Sequence, residues 1–474
     1  MSECKKNNAE NVNAVSDRWD KIEAEYGKEV RAALYALYNY YEGEKIADWI
    51  TGLFDPATGG FYYCNSARDT EGFLPDLEST GQSLTVLAEI GAIPTKLVNE
   101  ILTEDVRRKI VAFVHDRQSP RDGYYYHPQW PQGRENLNTD RYGRDLGHAS
   151  SILRRVMCDT DGDGIPEVQC PKYCTVDGIK CKLHAGTDES CAFPLIPLSD
   201  EAQSSSEPEK KAEATVSQNH PVYTSAEEFL QWLRAYNATV HKDSGRAHNL
   251  AALINEITMY GYENVLIDYL DEMQKQLFDE QVGLGETPTG IWQRDINYRA
   301  VWGAYKYAYI YNSVGRPINL EYVPYMIDTC LQVIKLPPIK NYAYNDLMNQ
   351  WSAITAIIAN VRRHHGDQVA DRLYDKLRAN ASSLIANSLD KMLPFKMSDG
   401  SFCNNVNGYS TPVIYGTPIA VGGLAEGNVN STHILLCMYL CICSALGCPS
   451  VPLCDTSVGH RVAERLALRN KNES

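Results

Sequence analysis

Apolar residues recur every three or four positions along almost the whole chain, and strict apolar–polar alternation is scarce. That period belongs to helices with one buried face, so the sequence predicts an all-α fold. Val106, Ile110, Phe113 and Val114 form one such stripe, and Leu250, Leu253, Ile254 and Ile257 another. A third comprises Leu266, Tyr269, Leu270, Met273 and Leu277. Ser225 with Glu228 reads as a capping box in front of Phe229, Leu230 and Leu233. Helices are expected near 28–52, 79–91, 97–117, 145–157, 225–240, 246–261, 263–278, 297–313, 321–334, 346–365, 367–393 and 431–446.

The connections between these helices alternate in character. Long ones couple a glycine turn to aromatic residues: Gly59-Gly60-Phe61, Asp122-Gly123-Tyr124, Gly290-Ile291-Trp292 and Asp399-Gly400-Ser401-Phe402. The others, such as 92–96, Gly261-Tyr262, 314–320 and Gly366, are mostly short. Helical hairpins with long loops at one end and tight turns at the other describe an (α/α)6 toroid, six hairpins in a closed ring, over 28–157 and 221–455. An open superhelical array of hairpins is the structural rival. Residues 1–27 and 456–474 read as tails.

Between Cys158 and about His220 the helical period vanishes, and the segment 158–220 reads as an irregular Cys- and Asp-rich insertion. Its second half, around Ser204-Ser205-Ser206-Glu207-Pro208, has linker composition. It opens with Asp159, Asp161, Asp163, Gly164 and Glu167, the carboxylate spacing with which a loop wraps Ca2+. The twelfth position is Cys170 rather than Glu, so the EF-hand pattern is incomplete. A structural Ca2+ site and a plain acidic turn are the two readings. Cys170, Cys174, Cys181, His184 and Cys191 follow at spacings that depart from paired C-x-x-C zinc sites. No cofactor is expected for catalysis.

Composition narrows the class of partner. Hydrophobic residues make up 44% of the 474, enough for a large core, and acids exceed bases to give a net charge of −15. That balance argues against nucleic acid or an anionic membrane as partner. No secretory h-region and no run of uninterrupted apolar residues long enough to span a bilayer is visible, so a cytoplasmic protein is the expectation. The 14 cysteines, several inside apolar helical runs, read as reduced thiols. Tyrosine is in surplus, 30 against 9 Phe and 7 Trp, which suits a half-wet surface such as a cleft.

Polar and aromatic residues gather in the long loops and at their junctions with helices. Tyr62, Tyr63, Asp76, Trp130, Arg134, Arg144, Asn249, Trp292, Arg294, Asp295, Tyr409 and Glu426 are the candidate substrate-binding residues. Rings to stack on, with amides and guanidiniums to bond hydroxyls and carboxylates, suit a sugar chain. Two chemistries use this inventory. In β-elimination on a uronic acid, Asn or Arg neutralises the carboxylate, Tyr or His takes the C5 proton, and Tyr protonates the leaving oxygen. Asn138, Tyr142, His148, His248 and Tyr298 are the candidates for that work. Inverting hydrolysis instead needs two separated carboxyls, such as Asp76 or Glu78 with Asp295 or Glu426. A non-catalytic glycan-binding scaffold is the third reading.

The segments Gly59-Gly60-Phe61-Tyr62-Tyr63, Asp122-Gly123-Tyr124-Tyr125-Tyr126 and Asp399-Gly400-Ser401-Phe402-Cys403, set among paired helices, carry a family resemblance. The chain resembles the catalytic toroid of heparinase-type and chondroitin-type polysaccharide lyases and, more loosely, terpenoid cyclase and protein prenyltransferase toroids. The lyase resemblance implies an Asn/His/Tyr/Arg site in a central cleft, carried by Asn138, His148 or His248, Tyr142 or Tyr298, and Arg144.

Overall fold

The computed structural model describes residues 17–119, 123–129, 139–159, 163–172, 175–176, 179–180, 222–237, 244–340, 342–414 and 416–472. Of 139–143, 175–176, 179–180, 237, 244–246, 248–249, 259 and 470–472 only the backbone is described. The fold is all-α, with strands reduced to two-residue pairs such as Val413–Ile414 against Thr417–Pro418.

Helices α1 (Lys28–Tyr40) and α2 (Gly43–Gly52) lead into α3 (Leu77–Glu89), α4 (Glu104–Asp116) and α5 (Thr139–Arg155). After the insertion come α6 (Ala226–Asn237), α7 (Ser244–Met259), α8 (Glu263–Gly283), α9 (Tyr298–Val314) and α10 (Val323–Lys335). The chain continues through α11 (Asn345–His365), α12 (Asp367–Arg378), α13 (Ala381–Met392), α14 (Val429–Leu446) and α15 (Thr456–Asn472). Three expected helices prove to be broken. The 28–52 span is interrupted at Tyr41, which is extended; its hydroxyl donates to Leu435 O at 2.5 Å and its ring packs on Phe402 and Tyr439. A long-range anchor, invisible to local periodicity, thus ends α1. The 97–117 span breaks at Leu102 and the 367–393 span at Ala379. The expected C-terminal tail is largely helical: α15 packs on α2 and α4, with Val458, Val462 and Leu466 buried. The expected N-terminal tail also contributes, since Trp19 and Ile22 are buried.

Six helices contact one another in a cycle. α3 packs on α5, α5 on α7, α7 on α9, α9 on α11, α11 on α14, and α14 back on α3. Around them α6 packs on α8, α1 on α13, α10 on α11 and α13, and α12 on α11 and α14. α14 is apolar and long enough to cross a membrane by composition alone; two-thirds of it is buried by its neighbours, as in a core helix.

The glycine–aromatic segments explain the long loops. Gly59, Gly123, Gly290 and Gly400 all have φ between 69° and 89°, a conformation that costs a side-chain-bearing residue. Two residues after each comes a fully buried ring: Phe61, Tyr125, Trp292 and Phe402. Three of the four loops share one backbone pattern, with Asp55 N, Ser119 N and Met397 N donating to Gly60 O, Tyr124 O and Ser401 O. The motif is therefore a repeated turn that drives a ring into the core.

Candidate functional site

The six cyclically packed helices enclose a cleft of roughly 1220 Å³, and every one of them contributes to its wall. Three small or polar residues of α3 (Gly81, Gln82 and Thr85) face it, and the cap of that helix is well made. Asp76 accepts from Ser79 N at 2.7 Å, and the Ser79 hydroxyl contacts the Asp76 carboxylate at 3.0 Å. α5 supplies Arg144, His148, Ser151 and Arg154 one turn apart along one face. On α9, Trp302, Tyr305, Lys306, Tyr309 and Ser313 do the same. The loops before α11 and α14 add Tyr344, Asn404 and Asn405, while Asn345, Asn349 and Asn430 come from the helices themselves.

A polar chain runs across the floor. Glu78, wholly buried, pairs with Arg144 and accepts from Gln82 Nε2 at 3.1 Å. Gln82 Nε2 also reaches Asn430 Oδ1 at 2.9 Å, and Asn430 Nδ2 donates to the Tyr344 hydroxyl at 2.8 Å. These bonds lock three helices, α3, α5 and α14, to the loop before α11, which fixes Arg144 against the cleft wall. Lys306 stands nearby with its ammonium 4.7 Å from the Tyr305 ring centre and in no ion pair among the described residues. Crowding by the surrounding helices pushes it down to about 7; the Arg144 charge adds to this and Glu78 opposes it. Burial, with the nearby Cys441 and Cys437 thiols, holds the Tyr305 hydroxyl well above the ordinary phenol range.

Of the residues singled out from sequence, Arg144 and His148 meet in this cleft. Tyr142, His248 and Asn249 lie in α5 and α7 at positions where only the backbone is described. Asn138, Trp130, Arg134 and Asp161 lie outside the described residues. Tyr298 is a structural clasp: its hydroxyl donates to Leu336 O at 2.9 Å and lies 3.2 Å from Lys391 Nζ. Tyr63 is buried in a small cluster with Cys64, Ala67, Ile419 and Ala420, and Tyr62 packs against it. Trp292 is core, its indole N–H donating to Leu270 O at 2.9 Å. Arg294 pairs with Glu280 and Glu286 at the surface, beside an exposed Asp295. Asp76 caps α3, and Glu426 accepts from Ser66 N at 3.0 Å. Tyr409 is exposed, and none of these nine lines the cleft. Their loop positions misled because the loops' rings pack inward.

Sequence reasoning missed Lys306, Trp302, Tyr305, Tyr309, Tyr344, Asn345, Asn349 and His433. The signal was present on α9, where Trp302, Tyr305, Tyr309 and Ser313 repeat at helical spacing around a lysine. In the insertion, carboxylate oxygens of Asp159, Asp163 and Glu167 lie within 4.8 Å of one another. Asp159 and Asp163 also accept backbone N–H bonds from Gly164 and Ile165, as turn-forming aspartates do. Cys170 O lies 2.7 Å from His115 Nε2, and Cys174, Cys181, His184 and Cys191 lie outside the described residues.

No protein-family model matches this chain, and no curated protein or solved structure matches it either.

Proposed function

We propose that this chain is an (α/α)6 toroid whose axial cleft binds a uronic-acid-containing glycan and cleaves it by β-elimination. The cyclic order of helix contacts supports the toroid. One observation carries the chemistry: the cleft lining contains Arg144, Arg154, Lys306, His148 and His433, with several Asn and Tyr, and among the described residues no Asp or Glu. Arg144 and Arg154 in that lining, on a chain of net charge −15, suit a carboxylate-bearing ligand. The same lining disfavours inverting hydrolysis, since Asp76, Glu78, Asp295 and Glu426 are absent from it.

In this reading Arg144 and Arg154 hold the uronate carboxylate, which makes the C5 proton removable. Lys306, partly neutral near pH 7, takes that proton, with His148 beside it as the alternative base. The C4–O bond then breaks as the C4=C5 double bond forms, and Tyr305, kept protonated by its burial, donates to the leaving oxygen. Asn349 and Asn405 face the hydroxyls. Incubation with a panel of acidic glycans tests this, with ultraviolet absorbance of the unsaturated uronate as readout. New reducing ends without that absorbance would indicate hydrolysis, and binding without new ends a glycan-binding scaffold. A structural Ca2+ in the insertion rests on Asp159, Asp163 and Glu167, and a Ca2+-dependent rise in melting temperature tests it.

A further inference from the structure

We propose a second site beside the cleft: Glu89, His433 and Cys437 form a binding site for a zinc-like divalent metal. This inference is independent of the glycan reading. His433 and Cys437 are one turn apart on α14 and so share a face, and α14 packs against α3, which ends at Glu89. Cys437 Sγ lies 3.3 Å from His433 Nε2 and 3.3 Å from Glu89 Oε1, and His433 Nε2 lies 3.6 Å from Glu89 Oε1. Ligand atoms around a tetrahedral Zn2+, with bonds of about 2.0–2.3 Å, stand about 3.3–3.6 Å apart. The triangle already has the edge lengths such an ion requires.

The donor set selects the class of metal. Thiolate, imidazole and carboxylate together suit zinc and disfavour magnesium or calcium, which take oxygen donors. The electrostatics leave room for a cation. Glu89 is about four-fifths buried, yet no lysine or arginine pairs with it among the described residues; its one ion-pair partner is His433. Arg155, which feels the Glu89 charge, donates to Thr85 Oγ1 at 3.0 Å instead. Glu89 Oε2 is buried without a hydrogen-bond donor. A largely buried carboxylate in that state is costly, and a bound divalent ion offsets the cost. His433 also lines the cleft, which gives the ion an entry path and room for water as a fourth ligand.

The test uses the full chain dialysed against Zn2+, with elemental analysis of bound metal, and against Co2+, with absorbance spectroscopy. The expected result is one Zn2+ per chain and, with Co2+, a thiolate-to-metal charge-transfer band. Cys437→Ser should lose the band. Glu89→Gln and His433→Gln should weaken Zn2+ binding by more than the roughly tenfold to hundredfold cost of losing a supporting hydrogen bond. Replacing Cys170, Cys174, Cys181 and Cys191 by Ser should leave the band intact, which separates this site from the insertion. Circular dichroism of each variant checks the fold, and Glu89→Gln keeps the side-chain volume. Failure of the wild-type chain to take up Zn2+, or equal uptake and an unchanged band in folded Cys437→Ser and Glu89→Gln, would overturn the proposal.

Discussion

Gly81 on α3 and His148 on α5 stand so close that a Cβ at position 81 would come within 3.0 Å of His148 Nδ1. The contact sits on the cleft wall, so the missing side chain at 81 decides where the imidazole stands. Helix propensity favours alanine over glycine here by roughly 0.5–1 kcal/mol, so Gly81→Ala should not lower the melting temperature by much. It should displace the imidazole and, under the proposed elimination chemistry, reduce turnover at least tenfold. Kinetics beside a thermal melt check this, and unchanged turnover would count against any role for His148.

Lys306 gives a pH signature. Its folded-state value, about 7, lies below the value of 10.5 for a free lysine, so the unfolded chain holds the proton more tightly between those values. Stability should therefore rise with pH from about 7 towards 10.5, and the penalty of the buried ammonium should be full below that window. Lys306→Met should raise the melting temperature at pH 6 and flatten its climb through the alkaline range. Melts at several pH values on both proteins provide the comparison. If Lys306 is the base, wild-type turnover should also rise through a pH of about 7.

The Glu78–Arg144 pair is buried on the carboxylate side and anchors the floor of the cleft. Glu78→Gln takes the carboxylate away from a largely enclosed guanidinium, which should cost about 3–5 kcal/mol. The Glu78→Gln, Arg144→Met double variant should be less destabilised than the two single changes added together. Denaturant unfolding of the full cycle measures the coupling, and simple additivity would mean that the pair contributes nothing specific.

The repeated turn predicts where glycine is required. A Cβ at Gly59 would lie 2.4 Å from Lys109 O, and Gly59 also has φ of 87°. Gly59→Ala should therefore cost more than the roughly 1 kcal/mol that the left-handed conformation alone exacts. Trp292→Ala, which empties a core position, should cost about 3–5 kcal/mol. Equilibrium unfolding checks both, and Trp292→Ala should reduce stability without a specific change in glycan affinity.

Much of the helical layout was legible because it rests on local periodicity: the stripes at Val106–Val114, Leu250–Ile257 and Leu266–Leu277 fall in α4, α7 and α8. The four Gly–aromatic turns were equally visible, because a left-handed backbone and a large ring each demand particular residue types. What those turns do was not visible. Loop position suggested that Trp292, Tyr63 and Tyr298 face a ligand, whereas burial makes them core and clasp residues. For the site, Arg144 and His148 were within reach because they cluster on one short helix. Lys306, Asn349 and His433 were not, since they are scattered over three helices and meet only where those helices pack.

The amino-acid order by itself determined the helical class, the turns and the residues able to occupy them, because those depend on interactions over a few residues. Tertiary structure alone decided the break at Tyr41, the docking of α15, the return of α14 onto α3 and the chemistry of the cleft. Each of these depends on contacts between residues hundreds of positions apart, as in Gln82 with Asn430 and Glu89 with Cys437. Burial, which moves Lys306 towards neutrality, is likewise a property of the packed helices and not of the lysine.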